Sequence, residues 1–105
     1  MAKYLLAYHG GGMAQSEEEG GRVMAAWGVW MAGVGRALVD GGNPVGQAAT
    51  VAADGSSSPG GGPNPVTGYS ILSADSLEQA VALVAGCPVL SSGGSVEVCE
   101  TFDVM

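Results

Sequence analysis

The run Lys3-Tyr4-Leu5-Leu6-Ala7-Tyr8 sets the strongest limit on what this chain can become. It is short, apolar and ended by glycines, so it reads as a β-strand. Both of its faces are apolar: Tyr4, Leu6 and Tyr8 on one, Leu5 and Ala7 on the other. A strand that must be covered on both sides belongs in the middle of a sheet. The 105 residues make one domain, 1–105, with a single core to supply that cover.

The rest of the chain supplies partners for it. Ser16-Glu17-Glu18-Glu19 fits a capping box, and its acidic residues suit the positive end of a helix. Val23, Trp27, Trp30, Met31, Val34 and Leu38 then recur every three or four residues, which predicts a helix over 17–36. Ala37 to Asp40 leads into a second strand, interrupted at Gly41-Gly42-Asn43-Pro44, with pairing expected to resume over Gln47 to Val51. From Asp54 to Thr67 glycine, serine and proline dominate, the composition of a long loop. Gly68 to Ser73 is a third strand, Asp75 to Glu78 caps a second helix that Gly86 ends, and Ser95 to Phe102 is a last strand.

The order is β-α-β-β-α-β. Right-handed crossovers turn it into an α+β, ferredoxin-like fold: a four-stranded antiparallel sheet with two helices on one face. The other face keeps apolar side chains with nothing over them. Burying that face against a second copy makes a homodimer, a dimeric α/β barrel joined through the sheets.

Charge narrows the partners. Ten acidic residues stand against Lys3, Arg22 and Arg36, a net charge of −7. Three scattered cations do not displace the counterions of a nucleic acid, and they serve anionic membranes and phosphate-rich cofactors no better. No nucleic acid, membrane or cofactor is therefore expected. With no apolar run of membrane-spanning length, and too few apolar residues after Lys3 for a signal peptide, the expected location is the cytoplasm. Cys87 and Cys99 lack metal-ligand spacing, so no metal is expected and both thiols should be reduced.

His9-Gly10-Gly11-Gly12 is the one stretch that invites a chemical reading. It resembles an esterase oxyanion loop, but no G-x-S-x-G elbow accompanies it. A phosphate loop needs Lys-Ser or Lys-Thr after its last glycine, and here Met13 follows. What is left is a permissive turn, or a single histidine at the end of a central strand available for acid–base work. In the second case Asp40 is the expected orienter of His9, Tyr69 a hydrogen-bond donor, and Trp27 or Trp30 a pocket wall. Gly41, Gly42 and Asn43, next to Asp40, complete the expected ligand-binding set.

In order and spacing, "KYLLAYHG", "GRALVDGGNP", "GYSILSADSLEQAVALVAGCP" and "GGSVEVCETFDVM" resemble the YCII-related domain family, including its DGPF-type branch. The likeness spans nearly the whole chain. It implies a bacterial, cytoplasmic, sheet-to-sheet dimer of ferredoxin-like fold, and Asp40 matches the family's polar position before paired glycines. The family's first-helix histidine has no counterpart here, and "GGPNPVTG" replaces the DGPF tetrapeptide.

Two functions are therefore expected. One is a homodimer that binds a small, largely neutral molecule in a cleft and performs lyase- or isomerase-type proton transfer with His9 and Asp40. The other is a non-catalytic structural or regulatory dimerisation module. Geometry separates them: the first needs His9, Asp40 and Tyr69 to converge on an open cleft.

Overall fold

The computed structural model describes residues 2–12 and 15–104. Met13 and Ala14, which follow the glycine run, lie outside the described residues. The chain forms β1 (Ala2–His9), α1 (Glu17–Val34), a 3-10 turn (Gly35–Ala37) and β2 (Leu38–Asp40). There follow β3 (Ala49–Val51), β4 (Ser57–Pro59), β5 (Val66–Ala74), α2 (Leu77–Val84), α3 (Pro88–Ser91) and β6 (Ser95–Glu100).

The principal sheet has the order β2-β5-β1-β6, and every neighbouring pair in it is antiparallel. The fold is α+β with a four-stranded antiparallel sheet, compatible with a ferredoxin-like arrangement. As the doubly apolar run requires, β1 is central. Its Tyr4, Leu6 and Tyr8 are buried together with Leu72, Trp30, Ala80 and Val84, so α1 and α2 pack on the same side of the sheet. Trp27 stands edge-on between Tyr8 and Trp30, at ring-centroid distances of 5.2 and 5.7 Å.

Both helices start where their capping serines predict. The Ser16 hydroxyl accepts from the Glu19 N–H at 3.0 Å, and the Ser76 hydroxyl accepts from the Gln79 N–H at 3.1 Å. The Glu19 carboxylate reaches back one residue further than a capping box requires, to the N–H of Gln15. Gly35, at φ 63°, ends α1 in the left-handed region.

Two expectations need correction. Pairing with the third strand of the principal sheet resumes at Asn43 to Val45, not at Gln47: Tyr69 N–H donates to Asn43 C=O, and Val45 N–H to Thr67 C=O. Pro44 bridges Gly68 on the sheet edge, where its missing N–H costs no ladder bond. The segment expected to be a long loop instead contributes β4, which pairs with β3 as a separate hairpin around Asp54-Gly55. Every residue from Gly46 to Pro65 is exposed. Pro88–Ser91 is a short helix that starts on its proline.

Candidate functional site

On β1 the side opposite the helices carries Lys3, Leu5, Ala7 and His9, since alternate residues share a face. Register places Ile71 and Cys99 on either side of Leu5, and Tyr69 and Glu97 on either side of Ala7. This second face is half covered at best: Ala7, Tyr69, Ile71 and Cys99 are half-buried and Leu5 is exposed.

His9 sits at the margin of that face and is only 8% exposed. Its Nδ1 lies 3.0 Å from the carbonyl oxygen of Asn64 and 3.2 Å from that of Pro65. Its Nε2 lies 3.2 Å from Oε1 of Glu97, a side chain that is itself 65% exposed. The base of the long hairpin thus closes over one side of the imidazole, and β6 supplies a carboxylate on the other. The carbonyls accept only from a protonated Nδ1 and the carboxylate only from a protonated Nε2, so both contacts are hydrogen bonds at once only when the ring carries both protons.

Asp40 does not join this pair. Its Oδ1 accepts from the Gly42 N–H at 2.8 Å, an Asx turn that steers the chain out of β2. Asp40 pairs with Ile71, and so does Leu5 of β1, four residues before His9. The two are therefore offset by about 13 Å along the strands and two strand spacings across them. The expectation that Asp40 orients His9 gives way to Glu97. The reason is topological: β2 is separated from β1 by β5, whereas β6 adjoins β1 directly.

Tyr69 lies on the same face as His9, paired with Ala7, and forms no hydrogen bond to it among the described residues. Trp27 and Trp30 occupy the other side of the sheet. Trp30 is buried and its indole N–H donates to the Leu83 carbonyl at 3.0 Å; its edge also lines a shallow groove of about 520 Å³ beside Arg22 and Ser91. Gly41 and Gly42 serve the backbone. The Gly41 carbonyl accepts from Ser70 at 2.7 Å, and Gly42, at φ 71°, passes so near the Tyr69 carbonyl that a Cβ would overlap it. Asn43 contributes its carbonyl to the Tyr69 N–H.

A buried polar chain lies under the sheet. The Tyr8 hydroxyl donates to Ser70 Oγ at 2.7 Å, and Ser70 donates on to Gly41. Burial pushes the Tyr8 phenol up to about 12, and the neighbouring Cys87 thiol adds to the shift against the Ser70 hydrogen bond. Burial likewise raises Cys87 and Cys99, both free thiols, so neither has the thiolate character of a nucleophile. Among the described residues no group of His, Cys, Asp and Glu is arranged to hold a metal ion, and no helix is long and apolar enough to cross a membrane.

Glu97 is the site residue that the sequence reading missed. Its signal was present in the alternation of Glu97 and Cys99 with Val96 and Val98, which sets the acid on the face opposite the core. Compared with models of known protein families, with curated proteins and with solved structures, the chain matches none.

Proposed function

We propose that this chain works as a homodimer joined through the sheet face opposite the helices, and that this contact is its primary role, as a structural or regulatory module. The observation that carries the reading is the uncovered face: Leu5, Ala7, Tyr69, Ile71 and Cys99 form one apolar surface on a molecule whose least extent is 18 Å. A sheet covered by a single helix layer leaves such a surface in water, and a second copy laid face to face removes both from it. The result is a ferredoxin-like dimeric α/β barrel. The same reading accommodates the resemblance to the YCII-related family and a place in the cytoplasm. His9 favours it too, because a ring boxed by two carbonyls and a carboxylate, far from Asp40, is built as a structural clasp.

Sedimentation velocity from about 1 to about 100 μM tests it, since a dimer's population follows protomer concentration. The wild type should sediment as a dimer and Ile71→Asp as a folded monomer. A wild type that stays monomeric throughout overturns the reading.

One observation favours a second reading. The carbonyl-anchored Nδ1 and the carboxylate at Nε2 make His9–Glu97 an oriented acid–base pair at the edge of the same face. In that reading the dimer binds a small, largely neutral molecule and performs lyase- or isomerase-type proton transfer with His9 and Glu97. A thermal-shift screen of small carbonyl and aromatic metabolites on wild type, His9→Ala and Glu97→Gln checks it. A ligand that stabilises the wild type and neither variant supports this reading; the absence of any such ligand sinks it.

A further inference from the structure

The two edges of the principal sheet are built differently. The β2 edge has three residues in its strand, with a register shift between Leu38 and Asp40, and Pro44 follows it, features that discourage another strand from pairing. The β6 edge has none of these. It runs in unbroken register with β1 from Ser95 to Glu100, with no proline and no lysine.

The register also shows which backbone groups face outward. Thr101 N–H donates to Lys3 C=O at 3.0 Å, which makes Lys3 and Thr101 a hydrogen-bonded pair. Alternation makes Leu5–Cys99, Ala7–Glu97 and His9–Ser95 the remaining pairs of that type. The N–H and C=O groups of Val96, Val98 and Glu100 consequently point away from β1, along the free edge.

The side chains of Val96 and Val98 floor a groove of about 390 Å³ whose wall is Leu77, Val81, Val84 and Leu90. Leu77, Val81 and Leu90 are 45%, 52% and 41% exposed, large apolar groups left in water beside the free backbone edge. A strand laid along β6 would send alternate side chains into this groove and the others to the opposite sheet face, beside Glu97.

Charge selects the occupant. Glu97 and Glu100 lie on β6, and Glu100 accepts from the Tyr4 hydroxyl at 3.1 Å. Glu78 and Asp75, at the start of α2, act on the same Tyr4. None of the three cations lines the groove. A second copy paired strand to strand would bring two acidic β6 strands together in chains of net charge −7.

We infer that the β6 edge is a docking site for an extended, basic segment of another protein, added as a fifth strand with its apolar side chains in the groove and its lysines or arginines towards Glu97. The inference does not rest on the sheet-face dimer: β6 is an edge strand of the single chain, and the peptide test reads that edge directly.

Fluorescence anisotropy with the full chain tests it, using a fluorescein-labelled octapeptide of alternating lysine and valine. Saturable binding is expected. An octapeptide of alternating glutamate and valine should bind at least about tenfold more weakly, because acid then meets acid. A peptide with four lysines followed by four valines should lose binding similarly, because the period-2 pattern is gone. Val98→Pro removes an outward N–H while leaving the bonds to β1, and Val81→Asp charges the groove wall on an exposed helix position. Each should weaken the peptide by about tenfold or more, and Val81→Asp keeps the test decisive if the proline unfolds the strand. Equal binding of the glutamate peptide, or undiminished binding by Val81→Asp, overturns the proposal. So does a fall in the chain's own sedimenting mass with Val81→Asp, which would make a second copy the occupant.

Discussion

The imidazole of His9 reaches diagonally across the β1–β6 ladder to Glu97, with Nε2 3.2 Å from Oε1, although register sets His9 opposite Ser95 and Glu97 opposite Ala7. The same ring holds the carbonyls of Asn64 and Pro65, so one side chain joins the principal sheet to the base of the β3–β4 hairpin. Two unlike contacts meet on it. The carbonyl side is made by backbone, which loses no side-chain freedom in the contact, while the Glu97 side chain is mostly in solvent.

That asymmetry predicts unequal costs. His9→Ala strips the donor from the Asn64–Pro65 turn and should cost about 1–3 kcal/mol in urea unfolding. Glu97→Gln should cost about 1 kcal/mol or less, because an exposed partner gains little from the pair. Equal losses would place the clasp on the carboxylate instead. Long-range nitrogen–proton spectra of the imidazole should find the proton on Nδ1 in Glu97→Gln, where the carbonyls alone fix the tautomer.

Gly42 should tolerate no side chain. At φ 71° an alanine is already strained, and its Cβ would overlap the Tyr69 carbonyl. Gly42→Ala should therefore cost more than about 2 kcal/mol. Gly12→Ala, at φ 57° with open space around it, should cost about 1–2 kcal/mol, the left-handed backbone penalty alone. Thermal melts of the two variants side by side give the comparison.

The buried chain from Tyr8 through Ser70 to Gly41 runs in one direction, which ranks its variants. Tyr8→Phe leaves Ser70 still donating to Gly41 and should cost about 1 kcal/mol. Ser70→Ala orphans a buried hydroxyl and a carbonyl at once and should cost about 1–3 kcal/mol. The pH response has a definite sign. Burial lifts Tyr8 from 10.0 to about 12, so the unfolded chain releases this proton first as pH rises. Its contribution is complete below pH 10 and is lost on the way to about pH 12, with a slope of at most about 1.4 kcal/mol per pH unit. Tyr8→Phe should flatten that fall; part of it remains, because Tyr4 is raised as well, by burial and then by Glu100.

Much of this was written locally. Ser16 and Ser76 cap their helices by short-range bonds, and the doubly apolar Tyr4–Tyr8 run needed nothing beyond its own side chains to be read as a central strand. The hairpin was hidden because Ser57, Ser58 and Pro59 of β4 have no apolar pattern, although Asp54-Gly55 is a turn signal. The partner of His9 depends on strand order. Asp40 and Glu97 are both carboxylates near strands, and only the placement of β6 against β1 decides between them. Local sequence carries propensities and faces, whereas diagonal neighbours belong to the register of a finished sheet.

Cys99 offers a reporter of the proposed sheet-face dimer. It is half-buried on that face between Leu5 and Glu97's side of the ladder, whereas Cys87 is 1% exposed in the core. Burial first, and then the charge and hydrogen bond of Glu97, raise the Cys99 thiol, so its reaction with an aromatic disulfide reagent should be slow at neutral pH and faster in Glu97→Gln. Native protein should yield one reactive thiol per chain and urea-unfolded protein two. If two copies meet on this face, the Cys99 rate should fall as protein concentration rises through the dimer's dissociation constant. Ile71→Asp should hold the rate constant at every concentration. A wild-type rate independent of concentration, together with a constant monomer mass, would leave the face open to water and remove the contact on which the proposed function rests.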